Sequence, residues 1–310
     1  MKKVAFIFPG QGSQKIGMGK DFFENSDIAK DMISKASKRL GFNFEELLFE
    51  ENDNLGKTEF TQPAILLTSA IANEIFKSKC DIKPEFVLGH SLGEFSALVA
   101  SGAINYLDAI ELVHKRGLFM TEACSGAGAG MMALVGLDDA TVEKICEEQR
   151  AEGKKVWAAN YNMDGQLVLA GLKADLESLI ETFTTAGAKK AIVLDMSVAS
   201  HCDLLTSTVE NLKPYLEEFI TDDFDTSVVS NVTAAEYSSK DDAIELLCQQ
   251  LVSPVKYKHS IAANSDKVDM FIEFGNGIVL KGLNRKITKV PTANISDMKS
   301  LEKTLGALND

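Results

Sequence analysis

Phe86-Val87-Leu88-Gly89-His90-Ser91-Leu92-Gly93-Glu94-Phe95-Ser96-Ala97 is the stretch whose reading decides the fold. Phe86 to Leu88 is apolar enough for the end of a buried strand, and Leu92 to Ala100 carries apolar and small residues at helical spacing before Gly102 stops it. Between them stands Gly89-His90-Ser91-Leu92-Gly93, a G-x-S-x-G. In that pattern the serine occupies a sharp, strained strand-to-helix turn, and the flanking glycines leave room for close backbone approach. The turn presents the hydroxyl at the positive end of the following helix, where an oxyanion is stabilised. A serine in an ordinary loop is the bland alternative. A strand before and a helix after favour a nucleophile on an α/β sheet.

Outward from the turn, strands and helices alternate. Val4 to Phe8 reads as a buried strand, broken by Pro9-Gly10-Gln11-Gly12-Ser13-Gln14. A nucleotide reading of this loop fails: G-x-G-x-x-G needs glycine where Lys15 stands, and a P-loop from Gly12 reaches Gly17 but then meets Met18. What remains is either a plain turn or a tight loop whose N–H groups and Gln11 side chain face a site beside the strand. Phe22 to Leu40, Asn43 to Leu48 and Thr61 to Phe76 read as helices, and Asn105 caps another that runs to about Glu122. Ser125 to Gly130 is a small-residue hinge. After it Met131–Val135, Ala140–Gln149, Lys155–Asn160, Gln166–Ala170, Ala174–Ala186 and Lys190–Met196 read as β-α-β-β-α-β, the split βαβ of ferredoxin-like domains. The main alternation then resumes with Leu204–Phe219 (helix), Ser227–Val232 (strand), Asp242–Leu251 (helix), Val268–Phe274 (strand), Ile278–Ile287 (helix), Ala293–Ile295 (strand) and Met298–Leu308 (helix). The expected architecture is a mostly parallel sheet flanked by helices, built from 1–126 and 199–310, carrying a small ferredoxin-like insert at 127–198.

Arg116 is the second informative residue. At about 100° per residue, Ala109, Leu112, Val113 and Met120 share one helix face, while Glu111, Lys115 and Glu122 share a solvated one. Arg116 projects between Leu112 and Val113. A guanidinium on a core-facing stripe is costly without an anion. Either a core carboxylate pairs with it, or its partner is the carboxylate of a substrate, held as a bidentate pair.

Bulk properties bound the rest. The 310 residues are 45% hydrophobic and 25% charged, ordinary for a globular chain with a large core. A formal net charge of −13 argues against nucleic acid, which requires a basic face. Cys80, Cys124, Cys146, Cys202 and Cys248 form no C-x-x-C pair and are expected to be reduced thiols. No signal-peptide core follows Met1-Lys2-Lys3 and no apolar run reaches membrane-spanning length, so a cytoplasmic protein is expected. Nothing in the pattern demands a dimer, and a monomer is expected.

A serine nucleophile needs a base, and the chain has four histidines. His90 adjoins Ser91, but neighbouring side chains on such a turn diverge. His114 lies on the polar side of its helix, and His259 follows Lys256-Tyr257-Lys258 at an exposed helix start. His201, in Ser197-Val198-Ala199-Ser200-His201-Cys202, stands where the insert returns to the main body and looks into the cleft. His201 is the expected base. Asp203 is too close in sequence to orient it, so a dyad whose imidazole is fixed by a carbonyl fits better than a triad.

Taken together these residues resemble the malonyl-CoA:acyl carrier protein transacylase family, from near Met1 to near Leu308. The resemblance is carried by Phe8-Pro9-Gly10-Gln11-Gly12-Ser13-Gln14, Thr61-Gln62-Pro63-Ala64, Gly89-His90-Ser91-Leu92-Gly93-Glu94, Arg116-Gly117, Ala159-Asn160-Tyr161-Asn162, Ser200-His201-Cys202 and Gln250-Leu251 before Pro254-Val255. It implies that Ser91 is acylated, that His201 is the base and that the Gln250 carbonyl orients it. It implies an oxyanion hole from Gln11 and the Leu92 N–H, and a malonyl carboxylate held by Arg116, with His90 and Asn160 among the substrate-binding residues. It also implies a hydrolase-like α/β body with a ferredoxin-like insert, no cofactor and no metal. Coenzyme A thioester would be a substrate, and an acyl carrier protein bearing phosphopantetheine the partner, in fatty acid biosynthesis. Leu92 accompanies malonyl preference in related modular acyltransferases. Ala199 departs from the proline that often precedes Ser-His, which is expected to relax that loop without removing the base. An acidic carrier would need a local basic patch, for which Lys189 and Lys190, or Lys281, Arg285 and Lys286, are candidates.

Two other classes compete with transfer. A serine thioesterase or esterase of the α/β-hydrolase class usually orders its triad Ser, acid, His with the histidine late in the chain; His259 lacks a setting for that, and Arg116 would go unexplained. A non-catalytic carrier-binding module would not need the Ser91, His201, Gln11 and Arg116 set.

Overall fold

The computed structural model describes residues 2–196 and 198–309; Ser197, in the segment leading to His201, lies outside the described residues. β1 (Val4–Phe8) is buried along its length, as an apolar strand covered on both faces must be. It is followed by α1 (Lys20–Asn25), α2 (Asp27–Leu40), α3 (Phe44–Phe49) and α4 (Thr58–Lys77), then β2 (Phe86–Gly89), α5 (Gly93–Ser101) and α6 (Tyr106–Cys124). Next come β3 (Ala129–Val135), α7 (Asp139–Ala151), β4 (Val156–Met163), β5 (Gln166–Leu172), α8 (Lys173–Ser178), α9 (Ile180–Thr185) and β6 (Lys190–Val193). The chain returns through α10 (Thr206–Phe219), β7 (Val228–Val229), β8 (Glu236–Tyr237), α11 (Lys240–Val252), α12 (Tyr257–Asn264), β9 (Met270–Phe274), α13 (Val279–Ile287), β10 (Thr292–Ile295) and α14 (Met298–Asn309).

The main sheet has the order β10-β9-β1-β2-β7-β8, parallel except for the edge pair β7–β8. This is the mostly parallel, helix-flanked sheet expected from the alternation. β3 to β6 form a separate antiparallel sheet, β4-β5-β3-β6, in which each helical crossover leaves room for a strand between the two it joins. That is the ferredoxin-like βαββαβ, and it has its own core of Met132, Leu134, Val142, Leu169, Leu176 and Phe183. Backbone pairing ties it to the main body: Tyr161 N–H donates to the Val255 carbonyl (2.9 Å), and Val255 N–H to that of Ala159 (2.8 Å). Lys258 Nζ adds ion pairs to Asp139 (2.6 Å) and Asp164 (2.9 Å).

Several elements depart from the sequence reading for local reasons. The helix expected over Phe22–Leu40 is two helices, because Ser26 is extended (φ −142°, ψ 126°). The one expected over Ala174–Ala186 breaks at Leu179. The small-residue hinge is shorter than expected, since Ala129 and Gly130 already belong to β3. The strand expected over Ser227–Val232 pairs only at Val228 and Val229. α4 starts before its proline, so Pro63 sits inside it. Pro63 has no N–H, which leaves the Glu59 carbonyl free of its helical partner. His114 Nδ1 takes that carbonyl at 2.7 Å, joining α6 to α4.

Candidate active site

Ser91 sits between β2 and α5 with φ 52°, the left-handed region that non-glycine residues rarely adopt. Two glycines permit the turn. A Cβ on Gly89 would lie 1.9 Å from the Gly93 carbonyl carbon, and one on Gly93 would lie 2.0 Å from the Phe8 carbonyl oxygen. The strained backbone is pinned from β7's far end: Asn231 Oδ1 accepts the Ser91 N–H (2.7 Å), and Asn231 Nδ2 donates to the Gly89 carbonyl (2.7 Å).

His201 also has positive φ, 61°, and its ring reaches the serine: Ser91 Oγ and His201 Nε2 are 2.7 Å apart. On the other side Nδ1 is 2.7 Å from the backbone carbonyl of Gln250, near the end of α11. A carbonyl only accepts, so Nδ1 carries the proton and Nε2 faces the serine as a base. His201 is 2% exposed; burial, then the Arg116 charge, lowers its pKa to about 3, so the free ring is neutral at ordinary pH.

Arg116, 1% exposed, lies beneath the serine on α6. Its Nη1 donates to Gln62 Oε1 (2.7 Å), its Nη2 to Gln250 Oε1 (3.2 Å) and, at 3.4 Å, toward Ser91 Oγ. Its Nε has no partner among the described residues, and its guanidinium lies 5.3 Å from the Phe95 ring centroid. Among the described residues no carboxylate comes within ion-pair distance, so the core ion pair weighed above is not formed. Burial lowers the Arg116 pKa to about 10, opposed by the charge of Glu94, and it stays a cation at neutral pH.

A cavity of about 370 Å³ opens over this group, lined by Gln11, His90, Ser91, Asn160, Asn162, His201 and residues of β3, β5 and the segment after β6. The expected site residues therefore converge. Leu92 begins α5 with its side chain buried. Neither its N–H nor that of Gln11 donates to a protein acceptor among the described residues. The Gln11 side chain is held away, its Oε1 accepting from Thr58 Oγ1 (3.1 Å). His90 does not touch His201: its Nε2 bonds Asn162 Oδ1 of β4 (2.8 Å), and burial lowers its pKa. Asn160 is 6% exposed beside the Val255 bridge. His114 packs between helices and His259 is exposed.

Four side chains at the site escaped the sequence reading. Gln62 and Asn162 lay inside quoted motifs without a role. Glu94, wholly buried, accepts from Gln250 Nε2 (2.8 Å), Asn231 N–H (3.1 Å) and Tyr237 OH (3.1 Å), and burial raises its pKa to about 7. A carboxylate in the otherwise apolar Leu92–Ala100 run was the available signal. Asn231 had none, because its place depends on where β7 stops pairing.

The acyl transferase domain model matches residues 5–295. The malonyl CoA-acyl carrier protein transacylase of Bacillus subtilis (strain 168) is 40% identical over 313 residues, covering 100% of this chain and 98% of its own. The crystal structure of malonyl-CoA:acyl carrier protein transacylase from Helicobacter pylori superposes with a TM-score of 0.97 at 41% identity, covering 100% of this chain and 99% of that one. A malonyl-transacylase solved with a type II PKS acyl-carrier protein gives 0.94 at 34% identity, covering 98% and 99%. The chain belongs to the acyl transferase domain family, among the malonyl CoA-acyl carrier protein transacylases.

Proposed function

We propose that the protein moves a malonyl group from malonyl-CoA to the phosphopantetheine thiol of an acyl carrier protein, by way of an ester on Ser91. The observation that carries the choice of acyl group is the buried Arg116 cation, 3.4 Å from the Ser91 hydroxyl and, among the described residues, bonded only to neutral groups. Such a cation lacks an anion, and a malonyl carboxylate supplies one.

Ser91 Oγ attacks the thioester carbonyl as its proton passes to His201 Nε2. The oxyanion is received by the Leu92 N–H at the head of α5 and the Gln11 N–H in the loop after β1. Collapse expels the coenzyme A thiolate, which takes the proton from His201. The carrier thiol then gives its proton to His201 and attacks the ester, and the departing Ser91 Oγ recovers the proton. The Gln250 carbonyl keeps Nδ1 protonated throughout, and His90 and Asn160 line the acyl side of the cavity. The malonyl carboxylate has a second effect. The Arg116 charge holds His201 basicity down, so neutralising that charge makes His201 a better base when the right acyl group is bound.

A charge-assisted pair is worth about 1.5–3 kcal/mol and an unpaired buried charge costs more. Wild type is therefore expected to prefer malonyl-CoA over acetyl-CoA in kcat/KM by at least about tenfold. Arg116→Ala should collapse or invert the ratio, and Arg116→Lys should restore part of it, because an ammonium lacks the planar fork. If Arg116→Ala slows both substrates equally, the carboxylate is recognised elsewhere.

A further inference from the structure

Gln250 connects the two halves of the site with one side chain. Its Nε2 donates to Glu94 Oε2 (2.8 Å) and to the Ser91 carbonyl (3.1 Å), while its Oε1 accepts from Arg116 Nη2 (3.2 Å). Only one amide orientation satisfies these neighbours. Glu94 and the Ser91 carbonyl are acceptors, and a guanidinium has only donors. Glu94 Oε2 also receives the N–H of Asn231, whose side chain holds Ser91 and Gly89 in place. The same carboxylate thus braces the elbow and sets which end of the Gln250 amide faces Arg116. With that acceptor withdrawn, only the Ser91 carbonyl still holds the NH2, and the amide is free to shift and to carry Arg116 away from the acyl group with it.

We propose that Glu94 is a positioning residue for acyl-group selection, acting on Arg116 through the side-chain amide of Gln250. The inference rests on the malonyl reading of Arg116 and extends it to a residue that touches no substrate. The contact, rather than the charge, carries the effect. Glu94→Gln keeps a carbonyl oxygen for Gln250 and Asn231 and turns its NH2 toward Tyr237, whose hydroxyl rotates to accept. Glu94→Asp keeps the charge but withdraws the carboxylate by one methylene. Tyr237→Phe removes a donor from Oε1 and leaves the Gln250 contact alone.

The test is the malonyl-CoA to acetyl-CoA ratio of kcat/KM. Glu94→Asp should lower it at least about tenfold, while Glu94→Gln and Tyr237→Phe stay within about threefold of wild type. In an Arg116→Ala background, Glu94→Asp should change the ratio no further, because the two substitutions share one path. If Glu94→Asp does not fold, Gln250→Leu cuts the same path from its other side and leaves the backbone carbonyl on His201; an unchanged ratio there overturns the inference. So does a Glu94→Asp enzyme that slows both substrates alike, or one whose ratio falls equally without Arg116. A Glu94→Gln enzyme that loses the ratio while Glu94→Asp keeps it makes charge the cause and also overturns it. A wild type without malonyl preference overturns the proposed function and this inference with it. A normal wild-type ratio that survives Glu94→Asp overturns this inference alone.

Discussion

His201 is kept neutral by its surroundings, and that has a consequence for stability. In the folded chain its pKa is lowered from 6.5 to about 3, first by burial and then by Arg116. The unfolded chain takes up that proton near pH 6.5, the folded chain only near 3, so stability is fully present above 6.5 and is lost as pH falls through the window between them. Each pH unit there corresponds to about 1.4 kcal/mol. His201→Gln has no such linkage. Between pH 7 and pH 5 the wild type is expected to lose about 2 kcal/mol more than the variant in urea unfolding. Parallel losses would mean that His201 is protonated in the folded state. At this scale Ser91 was legible from its glycines, Arg116 from helix projection and His201 from its place at the return of the insert. Gln250 and Leu92 came only from resemblance, as did the oxyanion role of Gln11, because a backbone carbonyl or N–H leaves no trace in side-chain type. Glu94 and Asn231 act through the third dimension, joining an elbow to a loop well over a hundred residues away.

The elbow itself was the most legible element. Two glycines four residues apart, one ending an apolar run and the other starting a helix, describe a crossing so close that a methyl has no room. Gly93→Ala would place its Cβ 2.0 Å from the Phe8 carbonyl oxygen, which is backbone and fixed in the sheet. It should destabilise the protein by at least about 3 kcal/mol, the upper end of overpacking, and abolish acylation. Gly282 is the contrasting case. It is exposed inside α13 with open space around it, so Gly282→Ala should stabilise by about 0.5–1 kcal/mol. Thermal unfolding of both variants decides this; equal tolerance would mean the turn can relax. Boundaries were less legible where one residue breaks a periodic pattern. Neither Ser26 nor Leu179 is a helix breaker by type, and the breaks show only in the backbone, extended at Ser26 and with φ −97°, ψ −2° at Leu179. Pro63 misled in the other direction, since the Glu59 carbonyl it leaves free finds His114 across the helix interface.

The molecule as a whole is a mostly parallel sheet that supplies the serine and a small antiparallel sheet that roofs it. The order of strands and helices made both visible in the sequence, but not how the second sheet is fastened. Lys258 joins Asp139 and Asp164 of the insert to α12, and the insert in turn brings Asn160 and Asn162 to the cavity. Lys258→Met is expected to speed hydrogen exchange in the hairpin around Asp164 and to raise the KM for malonyl-CoA, leaving exchange in α4 unchanged; a partly exposed ion-pair network of this kind contributes about 1 kcal/mol. Unaltered exchange at the hairpin would mean that the Val255 pairing holds the insert alone. The central claim is that both sheets serve a malonyl ester on one serine. Its most direct test is peptide-resolved mass spectrometry after brief incubation with malonyl-CoA, followed by addition of a phosphopantetheinylated carrier protein. The account predicts malonyl on the peptide containing Ser91, its transfer to the carrier thiol, and no adduct on Ser91→Ala. Malonyl on another residue, an adduct that survives Ser91→Ala, or release as free malonate in place of transfer would contradict it.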